Sequence, residues 1–247
     1  MVIEMNATLK KIFSVQNGPI FGIIATAILL AGLIIPQFAF TGPNPTNEPY
    51  SMLDHFISEL GWVGISEWAI IFNVCLFVGA LLFVPFAVYS RKKMTSKLWR
   101  FGSICGVISA VSCSFVGIFS MNIETIIPHT IFAMTFFLGS VVMLMLFSIA
   151  LLFGKNPAAP RYFGIGGFLL LIFFICMFSG VGVDFSNLSD IGNPLDLETF
   201  FLTHTRDELG LMPLFEWLMV LTVLITLFFV AIFFYRNDKI GRGKTQK

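Results

Sequence analysis

Charge is what this chain has least of. Its 247 residues include 15 Lys and Arg and 14 Asp and Glu, 12% in all, about half the charged fraction of a soluble domain. A soluble enzyme or nucleic-acid-binding module cannot cover its surface with so few polar groups. Disorder is excluded too, because 57% of the residues are hydrophobic and mean hydropathy is +0.89. The four cysteines, 75, 105, 113 and 176, all fall inside apolar runs, which excludes a disulfide-stapled ectodomain. They read as small packing residues. Familiar catalytic patterns are also missing. There is no HExxH and no GxSxG, and Gly164-Ile165-Gly166-Gly167 sits in an apolar run with no phosphate-facing partners.

What the chain does have is long apolar stretches, rich in its 30 Phe. A helix needs about 20 apolar residues to cross a bilayer. Six runs qualify, at 18–40, 68–90, 101–120, 129–153, 162–183 and 211–235. Barrel strands would be about 10 residues long with alternating polarity, so these are helices. Five runs contain no charged residue, and the last contains Glu216 alone. The first is too long for a signal-peptide core and ends without a clean small-residue cleavage site. The expectation is one transmembrane domain over residues 1–247, an all-α integral membrane protein built as a six-transmembrane-helix bundle.

The few charges are sorted by side. Fourteen of the 15 basic residues fall before span 1, between spans 2 and 3 or 4 and 5, and after span 6; only Glu4 and Asp238 accompany them. The opposite loops hold Arg206 against eleven acids. By the positive-inside rule both termini are cytoplasmic. The two long loops, 41–67 and 184–210, then face outward. Their equal length does not make an inverted repeat, because they follow non-equivalent helices of the two halves and share no motif. Span 3 carries small residues at four-residue steps, Gly102, Gly106, Ala110 and Ser114, beside Cys105, Ser109, Cys113 and Gly117. Such stripes let helices approach closely and predict a central position for span 3.

The outer loops hold the polar chemistry. Residues 50–60 read as a short amphipathic helix. Tyr50, Leu53, Phe56, Ile57 and Leu60 fall on one face, with Ser51, Asp54, His55, Ser58 and Glu59 opposite, and Gly61 as the cap. Either it lies in the interface with its polar face in water, or that face covers the bundle mouth. All three histidines, His55, His129 and His204, map outside, with Asp184 closing span 5. Three imidazoles are a ligand set for catalytic zinc, although no two share a helix face. Asn73 and Glu216 lie about five residues into spans 2 and 6, roughly 7 Å below the outer boundary. An ionisable residue at that depth is a functional candidate; the alternative is structural, with Glu216 paired to Asn73 or Arg206.

These outer motifs carry a resemblance. Phe56-Ile57-Ser58-Glu59-Leu60-Gly61, Ser66-Glu67-Trp68, Phe72-Asn73, Gly117-Ile118-Phe119-Ser120, and His129 with Ala133 resemble the prokaryotic domain-of-unknown-function-998 family, related to the Frag/DRAM/Sfk six-span membrane proteins. Ser120 stands where that family usually has Pro. The resemblance implies a prokaryotic cell membrane, lipid handling by analogy with eukaryotic relatives, and roles for Ser58, Glu59, Gly61, Asn73 and His129. Three functions are expected to compete. In the first, membrane lipids enter an outward polar pocket near head-group level, formed by Asp54, His55, Ser58, Glu59, Asn73, Asp184, His204 and Arg206. In the second, His129 and Glu216 are catalytic in a lipid hydrolase or transferase, with zinc on His55, His129 and His204. In the third, the chain is a scaffold that binds a second copy or another membrane protein through its small-residue faces.

Overall fold

The computed structural model describes residues 17–42, 49–154, 159–179 and 211–245. Among them are six α-helices: α1 Gly18–Ile34, α2 Ala69–Lys93, α3 Lys97–Ile118, α4 Ile126–Leu152, α5 Ile165–Ser179 and α6 Met212–Thr245. Short 3-10 turns follow α1 (Ile35–Ala39), precede α4 (Ile123–Thr125) and α5 (Arg161–Gly164), and form Ile57–Gly61 in the first loop. Five of the helical segments are long and apolar enough to cross a membrane, while the α5 segment is shorter, at Arg161–Met177. The expected end of span 5, at 180–183, lies outside the described residues.

Local chemistry sets several boundaries. Pro19 occupies the first turn of α1, where its missing N–H costs nothing. Ser96 caps α3 by accepting from Trp99 N. Pro85 lies inside α2 and removes one rung of that helix's hydrogen-bond ladder.

The helices form a ring in chain order. Each packs on its sequence neighbours, and α6 closes the ring against α1. The small-residue stripe therefore does not make α3 a hub; α3 is one stave between α2 and α4. The stripe still brings backbones together, since a side chain on Gly117 would strike the α2 backbone, with Phe77 N at 2.9 Å. At the end of the ring carrying Arg91, Lys92 and Lys93, Trp99 stacks on Phe147 at 3.8 Å between ring centroids. Its Nε1 donates to Ser90 Oγ at 2.5 Å. There Asp238 accepts from Tyr89 Oη at 2.7 Å and pairs with Lys93 at 2.6 Å.

The opposite end differs from the sequence expectation. Residues 50–60 are not an amphipathic α-helix. A turn over 52–54 leads through extended Phe56 (ψ 151°) into the 3-10 turn Ile57–Gly61. The burial pattern also departs from an amphipathic helix: Ile57 and Leu60 are buried as expected, but so are His55 at 0% and Glu59 at 2% exposure, while Leu53 is 54% exposed. The reason is a change of hydrogen-bond partners. Phe56 N donates to Glu59 Oε1 at 2.9 Å and Ile57 N to Glu216 Oε2 at 2.7 Å, so side-chain carboxylates replace the helical carbonyls. Gly61 is not a left-handed cap either. A Cβ there would meet the Asn73 side chain, and Phe72 at 2.7 Å. The left-handed glycine of this segment is Gly64, with φ +99°.

Candidate functional site

Residues 50–66 form a roof over the ring. Thr41 N and Thr41 Oγ1 both donate to Ile65 O, and Glu67 N donates to Ala39 O at 3.2 Å, so the far end of the roof is tied to the segment that follows α1. Helices α2 and α6 then supply anchors. Asn73 Nδ2 of α2 donates to Gly61 O at 3.0 Å. Glu216 of α6 receives Ile57 N. Trp217, the next residue, donates from Nε1 to Tyr50 Oη at 3.0 Å, and Tyr50 Oη donates to Phe56 O at 3.0 Å. A buried hydrogen bond to a charged group contributes about 1.5–3 kcal/mol, and orphaning its partner costs a similar amount. The roof is therefore held by polar contacts that reach across the chain together with the burial of Ile57 and Leu60 in the core.

Beneath it runs one cavity. Its lining includes Ile57 and Ser58 of the roof, Phe72 to Ser90 along α2, and residues of α1, α3, α4 and α6. Among the described residues none of α5 lines it. Phe72 to Ser90 covers about 27 Å at helical rise, close to the roughly 30 Å hydrocarbon thickness of a bilayer. The space open to the centre of a water-sized sphere is about 100 Å³, several times the roughly 10–15 Å³ that one water requires. Leu, Phe, Ala, Val and Met side chains make up most of the wall. Midway, Ser109 Oγ lies 2.7 Å from Ser140 Oγ and 2.7 Å from Phe136 O, so these hydroxyls satisfy one another and the backbone.

The roof end of the cavity carries Ser58, His129 and Glu216. His129 is buried in the first turns of α4, with Nδ1 2.7 Å from Phe119 O at the end of α3. A carbonyl only accepts, so Nδ1 carries the proton and Nε2 is left as an acceptor. This contact also satisfies one of the carbonyls that the end of α3 leaves without a helical partner. Ser58 Oγ donates to Met121 Sδ at 3.2 Å. Next to this turn, Ser120 uses its carbonyl, which accepts from Asn122 N at 2.8 Å.

The nominated residues separate into groups. Ser58, His129 and Glu216 share the cavity end. Glu59 and Asn73 are buried in the roof and its anchor. Asn73 Oδ1 is buried with no hydrogen-bond partner among the described residues. His55 is packed instead into an aromatic cluster, with ring centroids 4.9 Å from Phe40 and 5.2 Å from Tyr50, and Nδ1 3.2 Å from Ser51 N. Asp54 is half-buried in the turn before it. Asp184, His204 and Arg206 lie outside the described residues. Among the described residues no three His, Cys, Asp or Glu side chains are placed to hold a metal ion. His55 and His129 stand in separate surroundings, so the described residues do not assemble the expected zinc ligands.

Sequence reading missed Tyr50, Trp217 and Met121 as roof anchors. It also missed the inward pairing of Ser109 with Ser140. A signal existed for the serines, since each is a hydroxyl within an otherwise apolar span.

Comparison with curated proteins yields no match, and comparison with solved structures yields none. Residues 23–232 match the family described as Protein of unknown function (DUF998). That match spans the ring from α1 to α6 together with the roof and the cavity, and the chain belongs to the DUF998 family.

Proposed function

We propose that this protein binds or handles a membrane lipid in the cavity beneath the roof. The observation that carries the proposal is the cavity's polarity: a long apolar bore with Ser58, His129 and Glu216 gathered at one end. That arrangement suits an amphiphile whose chain lies along the bore and whose head meets the polar end. In this reading the chain crosses the cell membrane of a prokaryote six times as a single domain, both termini cytoplasmic. The roof then faces outward near head-group level, since the cluster of Arg91, Lys92 and Lys93 lies at the far end of the ring.

Native mass spectrometry of protein purified in mild detergent tests the reading. It expects a co-purifying lipid on the native chain and its loss from a His129→Ala/Glu216→Gln double variant. An unchanged lipid signal in the variant contradicts it.

A second reading draws on the bond between Glu216 and Ile57 N. It assigns Glu216 to holding the roof shut, with lipid contacts made by His129 and Ser58 alone. Single variants separate the two, because this reading expects His129→Ala to lose the lipid and Glu216→Gln to keep it.

A further inference from the structure

The hydrogen-bond directions at the roof end define which head groups it accepts. Resting on the lipid reading, we propose that the ligand is a long-chain amphiphile whose head donates hydrogen bonds and carries no negative charge, best of all an ammonium.

Three observations lead there. Ser58 has already given its hydroxyl hydrogen to Met121 Sδ, so its remaining capacity is lone pairs. His129 has given its Nδ1 hydrogen to Phe119 O, so Nε2 is a lone pair as well. Glu216 takes one backbone hydrogen through Oε2, and a carboxylate has about four acceptor sites. Ser58 and His129 therefore present acceptors whose own hydrogens are spent, and Glu216 in its ionised form adds more.

Charge agrees with direction. Among the described residues no Lys or Arg lines the cavity. The ion pair of Lys93 with Asp238 is at the far end of the ring. A phosphate or carboxylate head would bring further acceptors and a like charge beside Glu216 in a buried site, which is a strong selection against it. A hydroxyl head would complete acceptors already in place. An ammonium head would do that and also neutralise Glu216, the condition under which a buried charge is tolerated.

The experiment uses the full chain in non-ionic detergent and four probes with one alkyl chain: hexadecylamine, hexadecanol, hexadecanoic acid and hexadecyl phosphate. Binding is read by occupancy in native mass spectra over a titration, with thermal unfolding as a parallel readout. Hexadecylamine should bind tightest and hexadecanol next, and both should exceed the acid and the phosphate by at least roughly tenfold. Glu216→Gln keeps an acceptor for Ile57 N, and it should remove the amine's lead over the alcohol while the alcohol still binds. If the acid or phosphate matches the amine, the head-group assignment is overturned and the lipid reading stands. If the amine's lead survives in Glu216→Gln, the role given to Glu216 is overturned. If none of the four binds, the lipid reading falls with it.

Discussion

Glu216 Oε2 lies 2.7 Å from the backbone nitrogen of Ile57, and 159 positions separate the two residues in the chain. The last helix thus reaches into the first loop and supplies a hydrogen-bond acceptor that the loop's own backbone does not. Roof and cavity meet at this contact, because both residues also line the bore.

Replacing Glu216 tests how much that contact holds. Glu216→Leu leaves the Ile57 N–H buried without a partner and should destabilise the protein by about 2–3 kcal/mol. Glu216→Gln retains a carbonyl acceptor and should lose less than half of that. Thermal unfolding in detergent measures both. Equal losses would mean that the hydrogen bond contributes little.

The two roof glycines should respond differently. Alanine at Gly61 collides with Phe72 and Asn73, whereas alanine at Gly64 meets nothing within 4 Å but must hold φ +99°. The strain at Gly64 should cost about 1 kcal/mol and stay local. Gly61→Ala should lift the roof, which hydrogen exchange would report as faster amide exchange across residues 56–61. Unchanged exchange there would remove Asn73 and Phe72 as the roof's floor.

Orientation and burial can be tested together with cysteines placed in a background lacking the four native ones. An impermeant maleimide added to intact cells should label Met52→Cys, since Met52 is exposed on the roof. His55→Cys, three residues on, should stay unlabelled. Lys97→Cys should label only after the cells are opened. Labelling of Lys97→Cys in intact cells would reverse the topology.

At the other end of the ring, Trp99→Phe keeps the stack on Phe147 but loses the bond to Ser90, a cost of about 1 kcal/mol. Trp99→Ala should cost about 3–5 kcal/mol through the space it leaves. Neither should change the labelling of Met52→Cys, because distant sites behave independently. Thermal unfolding and the labelling assay read the two effects separately.

Much of this architecture was legible in the sequence. Each helix begins within about four residues of its expected span, because a run of apolar residues long enough to cross a bilayer has few alternatives to helix. The roof was not legible. Its spacing fits an amphipathic helix, but the acceptors for Phe56 N and Ile57 N come from side chains, one of them 159 residues away. Local periodicity carries no trace of such a partner. The same contacts turned His55 and Glu59 inward and left Leu53 outside. His129 and Glu216 were nominated separately for their polarity, and only the closure of α6 onto α1 brought them to one cavity. His55, nominated with them, went to the Phe40–Tyr50 cluster because an imidazole also packs as an aromatic ring.

The most direct test of lipid in the bore is a cross-link from a lipid with a photoreactive group midway along its chain. Cavity-facing and outward-facing residues alternate on the same helices: Ala110 and Phe137 line the bore, while Ile108 and Leu138 stand 52% and 56% exposed on the outside. Peptide mapping after illumination should place adducts on Ala110, Phe137 and Val223, and Ala133→Phe, which fills the bore one turn below His129, should abolish them. Adducts confined to Ile108, Leu138 and other outward residues, unchanged in Ala133→Phe, would contradict lipid binding inside the ring.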